Sequence, residues 1–308
     1  LITPLHVLAN EQREINRGRS PHGSCGQGVG EARSYAIHQT SHNPISLKDL
    51  KDPARLHRKL ETLRDYLISA IPGLKDSVDL SSLVETYATM MSHEQLNIVS
   101  DDDILALIAD KNLTFVVEGS QGILLDEDYG FIPHTTWSSV VSANAKDILH
   151  SAGIPDNDIT VIGISRTYTT RHGAGPFPSE LDAGEELYPE KHNSWGRFQG
   201  GWRVGTFDLS LLDYAVRVSG GIDYIALTHC DITPVQEVIT RWEREFMPAE
   251  RDPEYRTSEL TETVKNVRFP VKEKYQNIHE LTGMIHRRTG VRVGILSYGP
   301  TAHDKRWV

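Results

Sequence analysis

An apolar run at residues 159–164 leads into a polar loop, and this junction limits what the chain can fold into. The run, ITVIGI, is rich in β-branched residues and predicts a buried strand. The loop that follows, TYTTRHGAGPFPSE at residues 167–180, contains two glycines, two prolines, an Arg and a Glu. Glycine lets a backbone approach a ligand closely, and proline fixes the shape of a loop in advance. The junction therefore predicts a ligand-binding loop, with a rigid structural turn as the alternative.

The same order of strand and polar loop occurs three more times along the chain. Apolar runs at residues 113–117, 224–228 and 291–296 precede EGSQG, HCD and SYGP. Helices are predicted between these strands, so the pattern indicates an α/β fold with a mostly parallel central sheet flanked by helices. Ligands are then expected at the carboxyl ends of the strands. No internal repeat or domain boundary is evident, which predicts a single domain over residues 1–308.

The spacing of apolar residues predicts the helices. Leu56, Leu60, Leu63 and Leu67 step by four, three and four residues after an Asp-Pro pair, which indicates a helix with one buried stripe. A polar helix is predicted at the end of residues 4–19, and further helices over residues 81–98, 235–246 and 278–288. The acidic triple at residues 101–103 fits the N-terminus of a further helix better than a metal site, because consecutive side chains do not converge on a helix.

Composition excludes several classes of function. A formal charge of −10 over 308 residues argues against a nucleic-acid-binding surface, which needs clustered Lys and Arg. The two cysteines, Cys25 and Cys230, build no disulfide framework, which favours a reducing compartment. No apolar run has the length of a bilayer crossing, and no signal-peptide pattern is present. A cytoplasmic protein without membrane or nucleic-acid partners is therefore expected.

Several longer motifs carry a resemblance to one family. In chain order they are HGSCGQGVGE from His22, EGSQGILLDEDYGFIPHTT from Glu118, VIGISRTYTTRHGAGPFPSEL from Val161, RVGTFD from Arg203, LTHCD from Leu227 and TGVRVGILSYGP from Thr289. On these motifs the chain resembles the adenylosuccinate synthetase family over nearly all of its length. The resemblance implies the P-loop-ligase-like fold of that family. It also implies a C–N ligase of purine biosynthesis that joins L-aspartate to the 6-position of IMP, hydrolyses GTP, uses Mg²⁺ and forms a homodimer.

The resemblance also implies roles for individual residues at the nucleotide. Gln121 matches a catalytic glutamine beside the transferred phosphoryl group, and the alternative is a glutamine that pins its own turn. Thr136 matches the threonine that binds the 5′-phosphate. The remaining residues matched to the IMP-type pocket are Ser24, Cys25, Arg171 and His172.

Two further sites follow from the same resemblance. Asp231 matches the aspartate that accepts hydrogen bonds from the guanine of GTP, and the alternative is a helix cap. The other residues matched to the GTP site are His229, Ser297, Gly299 and Pro300. Arg197 and Arg203 match the two ends of an arginine-rich loop that binds L-aspartate, since Arg suits carboxylates. No metal ligand is assigned.

The chain departs from the family pattern in places. The first strand of the family and its phosphate-gripping glycine loop have no counterpart here, so the sequence is expected to represent the C-terminal, larger part of such an enzyme. Cys25 stands where Thr is usual, His172 where a small apolar residue is usual, and His229 where Lys is usual. These substitutions leave open a phage-type ligase that uses dGMP to make 2-amino-deoxyadenylosuccinate. The lack of a counterpart to the first strand and its glycine loop leaves open a non-catalytic nucleotide-binding homologue.

Overall fold

The computed structural model describes residues 1–19, 22–38, 44–93, 96–190, 193, 195–243, 247 and 258–308. Two compact units are distinguished by the contacts within them. The first contains Leu1–Leu107 and Arg197–Gln199, and the second contains Ile108–Gly196 and Gly200–Val308. Each unit is described on its own below.

The first unit is helical, as the spacing of its leucines predicts. The stripe of four leucines on the third helix is buried, and it packs with Leu5, Tyr35 and Leu80 in one core. The helices are α1 (Pro4–Asn16), α2 (Val29–His38), α3 (Pro53–Ala70), α4 (Leu80–Met91) and α5 (Asp101–Ile108), the last ending at the boundary between the units. The predicted helix over residues 81–98 is shorter than expected, since residues 96–98 are not helical and residues 94–95 lie outside the described part.

The second unit alternates strands and helices. Its strands are β1 (Ile162–Arg166), β2 (Thr169–His172), β3 (Trp202–Gly205), β4 (Phe207–Asp208), β5 (Tyr224–Thr228), β6 (Glu237–Trp242), β7 (Pro270–Lys274), β8 (Val293–Ser297) and β9 (Lys305–Trp307). Its helices are α6 (Ala143–Ser151), α7 (Gly184–Leu187), α8 (Leu209–Val218), α9 (Ser258–Lys265) and α10 (Ile278–Thr289).

The largest described sheet is mostly parallel, which confirms the predicted fold class. Its strand order is β1-β5-β8-β9. β5 pairs in parallel with β1 on one side and with β8 on the other, while β9 is antiparallel to β8. Two smaller sheets accompany it, an antiparallel pair of β2 and β3 and a sheet of order β4-β6-β7. Three of the four predicted strands, at β1, β5 and β8, are therefore present.

The fourth predicted strand is wrong. Residues 113–117 are exposed throughout and belong to no strand, and Val116 is 90% exposed. β-propensity reflects packing on a pleated surface, and no described strand pairs with this run to provide that surface.

The helix predicted over residues 235–246 is also wrong. β6 (Glu237–Trp242) occupies most of that range, and residues 244–246 lie outside the described part. The β-branched residues Val238, Ile239 and Thr240 favour a strand, and β6 lies between β4 and β7 with Val238 and Ile239 buried.

The apolar core of the second unit lies around the parallel strands. Ile225 and Leu227 of β5 pack with Leu281 and Ile285 of α10 and with Leu296 of β8. None of the helices in the described part of the chain has the length and apolar content that a membrane crossing needs.

A buried carboxyl group, Asp208, joins the β4-β6-β7 sheet to α8. It caps the helix by accepting from the backbone N–H groups of Ser210 at 2.9 Å and Leu211 at 3.2 Å. Its second oxygen accepts from the indole N–H of Trp242 at 2.9 Å. Burial raises the pKa of Asp208 from 3.8 to about 6, although these hydrogen bonds work in the opposite direction.

We predict that Asp208 makes folding stability depend on pH. In the unfolded chain this carboxyl ionises near its ordinary pKa, whereas in the folded protein it stays neutral up to about pH 6. Its contribution to stability is therefore complete below pH 3.8 and is lost as the pH rises through 6. The difference in unfolding free energy between the parent and Asp208→Asn should fall by on the order of 1–3 kcal/mol across this window in urea titrations. Asp158→Asn, which removes an exposed carboxylate, is the control, and a flat difference for Asp208→Asn would contradict the assignment.

Candidate functional site

The polar loops after the three parallel strands are joined by backbone hydrogen bonds. Thr167 N–H, after β1, donates to the carbonyl of Thr228 at the end of β5 at 3.1 Å. Cys230 N–H, after β5, donates to the carbonyl of Ser297 at the end of β8 at 3.0 Å. The loops therefore meet at one edge of the sheet, as expected for the carboxyl ends of parallel strands.

The turn after β5 is strained and fixed. His229 has a φ of +59°, in the left-handed region that is uncommon for residues other than glycine. Its carbonyl accepts from the hydroxyl of Thr167 at 3.0 Å, and its ring lies edge-on to Tyr168. Burial, followed by the charge of Arg166, lowers the pKa of His229, so the ring is neutral at pH 7. The side chain at the predicted guanine site is thus uncharged.

Asp231 follows this turn and is exposed. Its carboxylate makes no hydrogen bond or ion pair with any described residue, and the next regular element is β6 rather than a helix. The helix-cap alternative is therefore not what the structure contains. Ser297 is buried and its hydroxyl donates to the Gly299 carbonyl at 3.2 Å, while Pro300 is exposed beside it. Asp231 is thus available to a ligand beside the loop that Ser297 shapes.

The segment at residues 121–136 carries the predicted catalytic glutamine. Gln121 is exposed with a φ of +71°, and its side chain makes no hydrogen bond within the described residues, so it does not pin its own turn. Backbone strain of this kind concentrates at functional sites. Thr136 N–H donates to the Leu125 carbonyl at 2.7 Å, while the Thr136 hydroxyl is without a partner in the described part of the chain. Both predicted ligand groups are therefore unused.

A buried carboxylate, Asp126, holds this segment in shape. It accepts from the backbone N–H groups of Asp128 at 2.7 Å, Tyr129 at 3.0 Å and Val140 at 2.6 Å. These three bonds attach the side chain to the backbone at residues 128–129 and 140. No role was predicted for Asp126, although an Asp directly after the apolar ILL run and two residues before another Asp is a signal for an Asx turn.

Arg171 connects the segment at residues 121–136 to the glycine-proline loop at residues 173–178. It is only 7% exposed, and its Nε donates to the Ala174 carbonyl at 2.9 Å while Nη2 donates to the His134 carbonyl at 3.1 Å. Burial, followed by the charge of Arg203, lowers the pKa of Arg171 to about 10, which leaves it protonated at pH 7. A buried cation thus lies between the two segments matched to nucleotide binding.

The other residues predicted in the second unit have internal partners. The ring of His172 contacts the Gly200 carbonyl through Nε2 at 3.2 Å and packs edge-on against Trp202. Arg203 forms an ion pair with Glu180, a residue to which the sequence analysis gave no role. Glu180 and Arg203 are 23 residues apart in the chain, and the backbone bridge between Glu180 and Gly205 brings Glu180 beside β3.

The predicted residues of the first unit also have protein partners. The carboxylate of Glu14 accepts from the N–H groups of His22 at 2.9 Å and of Gly23 and Ser24 at 3.4 Å. The backbone N–H groups of the glycine-dense segment that begins at His22 therefore bind the carboxylate of Glu14. Arg197 pairs with a carboxylate of its own unit, Glu11.

The Ser24 hydroxyl and the Cys25 thiol complete the predicted set in this unit. The hydroxyl accepts from the Asn10 amide at 2.9 Å, and Cys25 is exposed. The roles predicted for Ser24, Cys25 and Arg197 stay predictions.

The described residues do not themselves fit a resident metal ion. No group of three or more His, Cys, Asp or Glu side chains within them could hold one. No catalytic step through Mg²⁺ is therefore derived from these residues.

The second unit thus combines a parallel sheet that ends in linked polar loops with an exposed Asp, an exposed Gln and a buried Arg, the types of residue with which α/β proteins bind small polar ligands. A model of the adenylosuccinate synthetase family matches residues 1–305. The chain belongs to this family.

Similar proteins agree with that assignment. Adenylosuccinate synthetases from Frankia casuarinae and Teredinibacter turnerae are 35% and 34% identical over 241 and 239 residues, which is 75% of this chain in each case. The chain spans 54% of the length of each of these two relatives. The solved structure of a fully ligated adenylosuccinate synthetase from Plasmodium falciparum matches with a TM-score of 0.80 at 19% identity, over 99% of this chain and 75% of that one. This last likeness shows the fold.

We predict that Gly175 is required for the position of Arg171. A Cβ at Gly175 would lie 2.2 Å from Arg171 Nη2, and the φ of Gly175 is +114°. Gly221 is the matched control, since its φ is +113° and no atom lies within 4 Å of its Cβ position. Gly175→Ala and Gly221→Ala should each lose on the order of 1–3 kcal/mol of unfolding free energy from backbone strain. Gly175→Ala should lose more than its control, and equal losses in urea titrations would contradict a close contact with Arg171.

Proposed function

We propose that this chain supplies the nucleotide-binding and guanine-binding loops of a GTP-dependent ligase that joins L-aspartate to IMP. In this reaction the γ-phosphoryl group of GTP moves to the 6-oxygen of the purine. The amine nitrogen of L-aspartate then forms a bond to C6, the C6–oxygen bond breaks, and inorganic phosphate leaves. The products are adenylosuccinate, GDP and phosphate. Family membership supports the reaction class, and the loops support the choice of ligands.

The observation that carries the proposal is the position of Arg171. Its guanidinium bonds the carbonyls of Ala174 and His134, which places the glycine-proline loop beside the segment that ends at Thr136. The Thr136 hydroxyl, without a partner among the described residues, suits a 5′-phosphate oxygen, and the Gln121 amide suits a developing oxyanion because it donates without carrying a charge. In this proposal Arg171 fixes the segment that carries Gln121 and Thr136 relative to the glycine-proline loop.

The guanine of GTP is proposed to bind at the edge of the parallel sheet. The exposed Asp231 carboxylate can accept from N1–H and from the 2-amino group of guanine together, whereas adenine has no such pair of donors. The adjacent segment with Ser297, Gly299 and Pro300 flanks the base. The proposal also includes a homodimer, and Mg²⁺ that binds together with the triphosphate.

The Thr136 hydroxyl is predicted to contribute to the affinity for IMP. Thr136→Val keeps the shape of the side chain but removes its hydroxyl donor, so IMP affinity should fall by about tenfold, as for the loss of one charge-assisted hydrogen bond. The neighbouring Thr135→Val is the control and should bind IMP as the parent does. Isothermal titration measures both, with dGMP titrated in parallel. Binding of dGMP but not of IMP would contradict IMP as the acceptor and would favour the phage-type alternative.

Asp231 is predicted to determine which base of the triphosphate is preferred. Asp231→Asn replaces one acceptor oxygen with a donor, so the affinity for GTP should fall by about tenfold to a hundredfold. The affinity for xanthosine triphosphate, whose 2-oxo group accepts from an amide, should rise. Competition titrations with GTP, xanthosine triphosphate and ATP measure this exchange. An unchanged preference for GTP would exclude Asp231 as the guanine contact.

A further inference from the structure

We propose that Arg203 is a positioning residue that holds the glycine-proline loop (residues 173–178) in place together with Glu180, and that it is not a ligand of L-aspartate. The Arg203–Glu180 pair is the brace of this loop. This inference rests on the proposed function for the identity of the nucleotide. It differs from the role that the family resemblance implies for Arg203, and it assigns a role to Glu180.

The guanidinium of Arg203 is fully engaged by the protein. Nε donates to Glu180 Oε1 at 2.7 Å and Nη2 donates to Glu180 Oε2, which makes the pair bidentate. Nη1 donates to the carbonyls of Gly173 and Gly175, both at 3.0 Å. All three nitrogens are therefore used. A substrate carboxylate could bind Arg203 in the same fork geometry only by displacing Glu180.

Glu180 is held in place by its own backbone neighbours. Ser179 carbonyl accepts from Thr206 N–H at 2.8 Å, and Leu181 N–H donates to the Val204 carbonyl at 2.9 Å. These bonds attach the residues on both sides of Glu180 to β3 and to the residue after it. The carboxylate is thus presented to Arg203 from a fixed backbone, so forming the pair requires little additional ordering of the main chain at Glu180.

Arg171 and Arg203 donate hydrogen bonds to different carbonyls of the glycine-proline loop. Arg171 on β2 lies opposite Arg203 on β3 in the antiparallel register. Arg203 takes the carbonyls of Gly173 and Gly175, and Arg171 takes the carbonyl of Ala174 between them. Three consecutive carbonyls are therefore held by two neighbouring cations, and the Glu180 carboxylate offsets the repulsion between them. Arg203 also lies over the ring of Phe177, with its Cζ 5.2 Å from the ring centroid.

The brace and the aspartate-ligand role make opposite predictions for Glu180→Gln. If Arg203 braces the loop, Glu180→Gln should weaken IMP binding about fivefold to tenfold, as should Arg203→Lys, because both break the bidentate pair. If Arg203 binds L-aspartate, Glu180→Gln should leave IMP binding unchanged and should tighten L-aspartate binding, since a competing carboxylate is removed. Titration of each variant with IMP, and with L-aspartate in the presence of IMP, separates the two roles. Arg241→Lys, at an exposed position of β6, is the control.

Amide hydrogen exchange keeps the brace testable independently of the ligand. The brace predicts faster exchange of residues 173–180 in Glu180→Gln and in Arg203→Lys than in the parent and in Arg241→Lys. Unchanged exchange in both variants would overturn the brace. If the parent binds no IMP while the two variants still show the faster exchange, the proposed function fails and the brace stands.

Discussion

The buried charge of Arg171 is the constraint on which the ligand loops depend. A guanidinium removed from water is costly unless its N–H groups find acceptors, and here the acceptors are main-chain carbonyls of two separate segments. The carbonyls of Ala174 and His134 belong to loops that are far apart in the chain. The same charge that must be neutralised therefore fixes the loops relative to each other. Its position also explains why Gly175 carries no side chain, since a Cβ there would occupy the volume of the guanidinium.

Preorganisation elsewhere in the second unit follows the same principle. Asp126 accepts hydrogen bonds from three backbone N–H groups, and Glu180 accepts them from the guanidinium of Arg203. Asp208 accepts them from the N-terminus of a helix and from an indole N–H. In each case a carboxyl group accepts from N–H groups of a loop, of a helix end or of a side chain on a strand. Gln121, Thr136 and Asp231 keep side chains without protein partners in the described structure. The proposed ligand groups are thus available to a ligand, while the carboxyl groups that support the loops already have hydrogen-bond partners.

The sequence allowed the local features to be predicted better than the distant pairings. β5 was predictable because YIALT is a short apolar run followed by a polar turn, and α3 because its leucines repeat at helical spacing. The run at residues 113–117 has the same composition as a strand, but whether it pairs depends on neighbours that the local pattern does not contain. For residues 237–242, the β-branched residues outweighed the helical spacing because β4 and β7 supply hydrogen-bonding partners on both sides.

The site residues divide in the same way. The motifs identified Gln121, Thr136, Arg171 and Asp231, because each lies in a loop next to a strand or in a family motif. They did not identify Asp126 or Glu180, whose roles arise from bonds to backbone groups or to a side chain on a neighbouring strand. A family motif assigns a residue type to a ligand, but it does not show whether that side chain already has a partner, as Arg203 has in Glu180.

The central claim is that residues 121–136 and 173–180 form one nucleotide pocket through Arg171. Hydrogen exchange of the parent protein with and without IMP tests it most directly. The account predicts that both segments gain protection together at the same IMP concentration, while GTP protects residues 228–231 and 297–300 instead. Protection of only one of the two segments by IMP, or of neither, would contradict it.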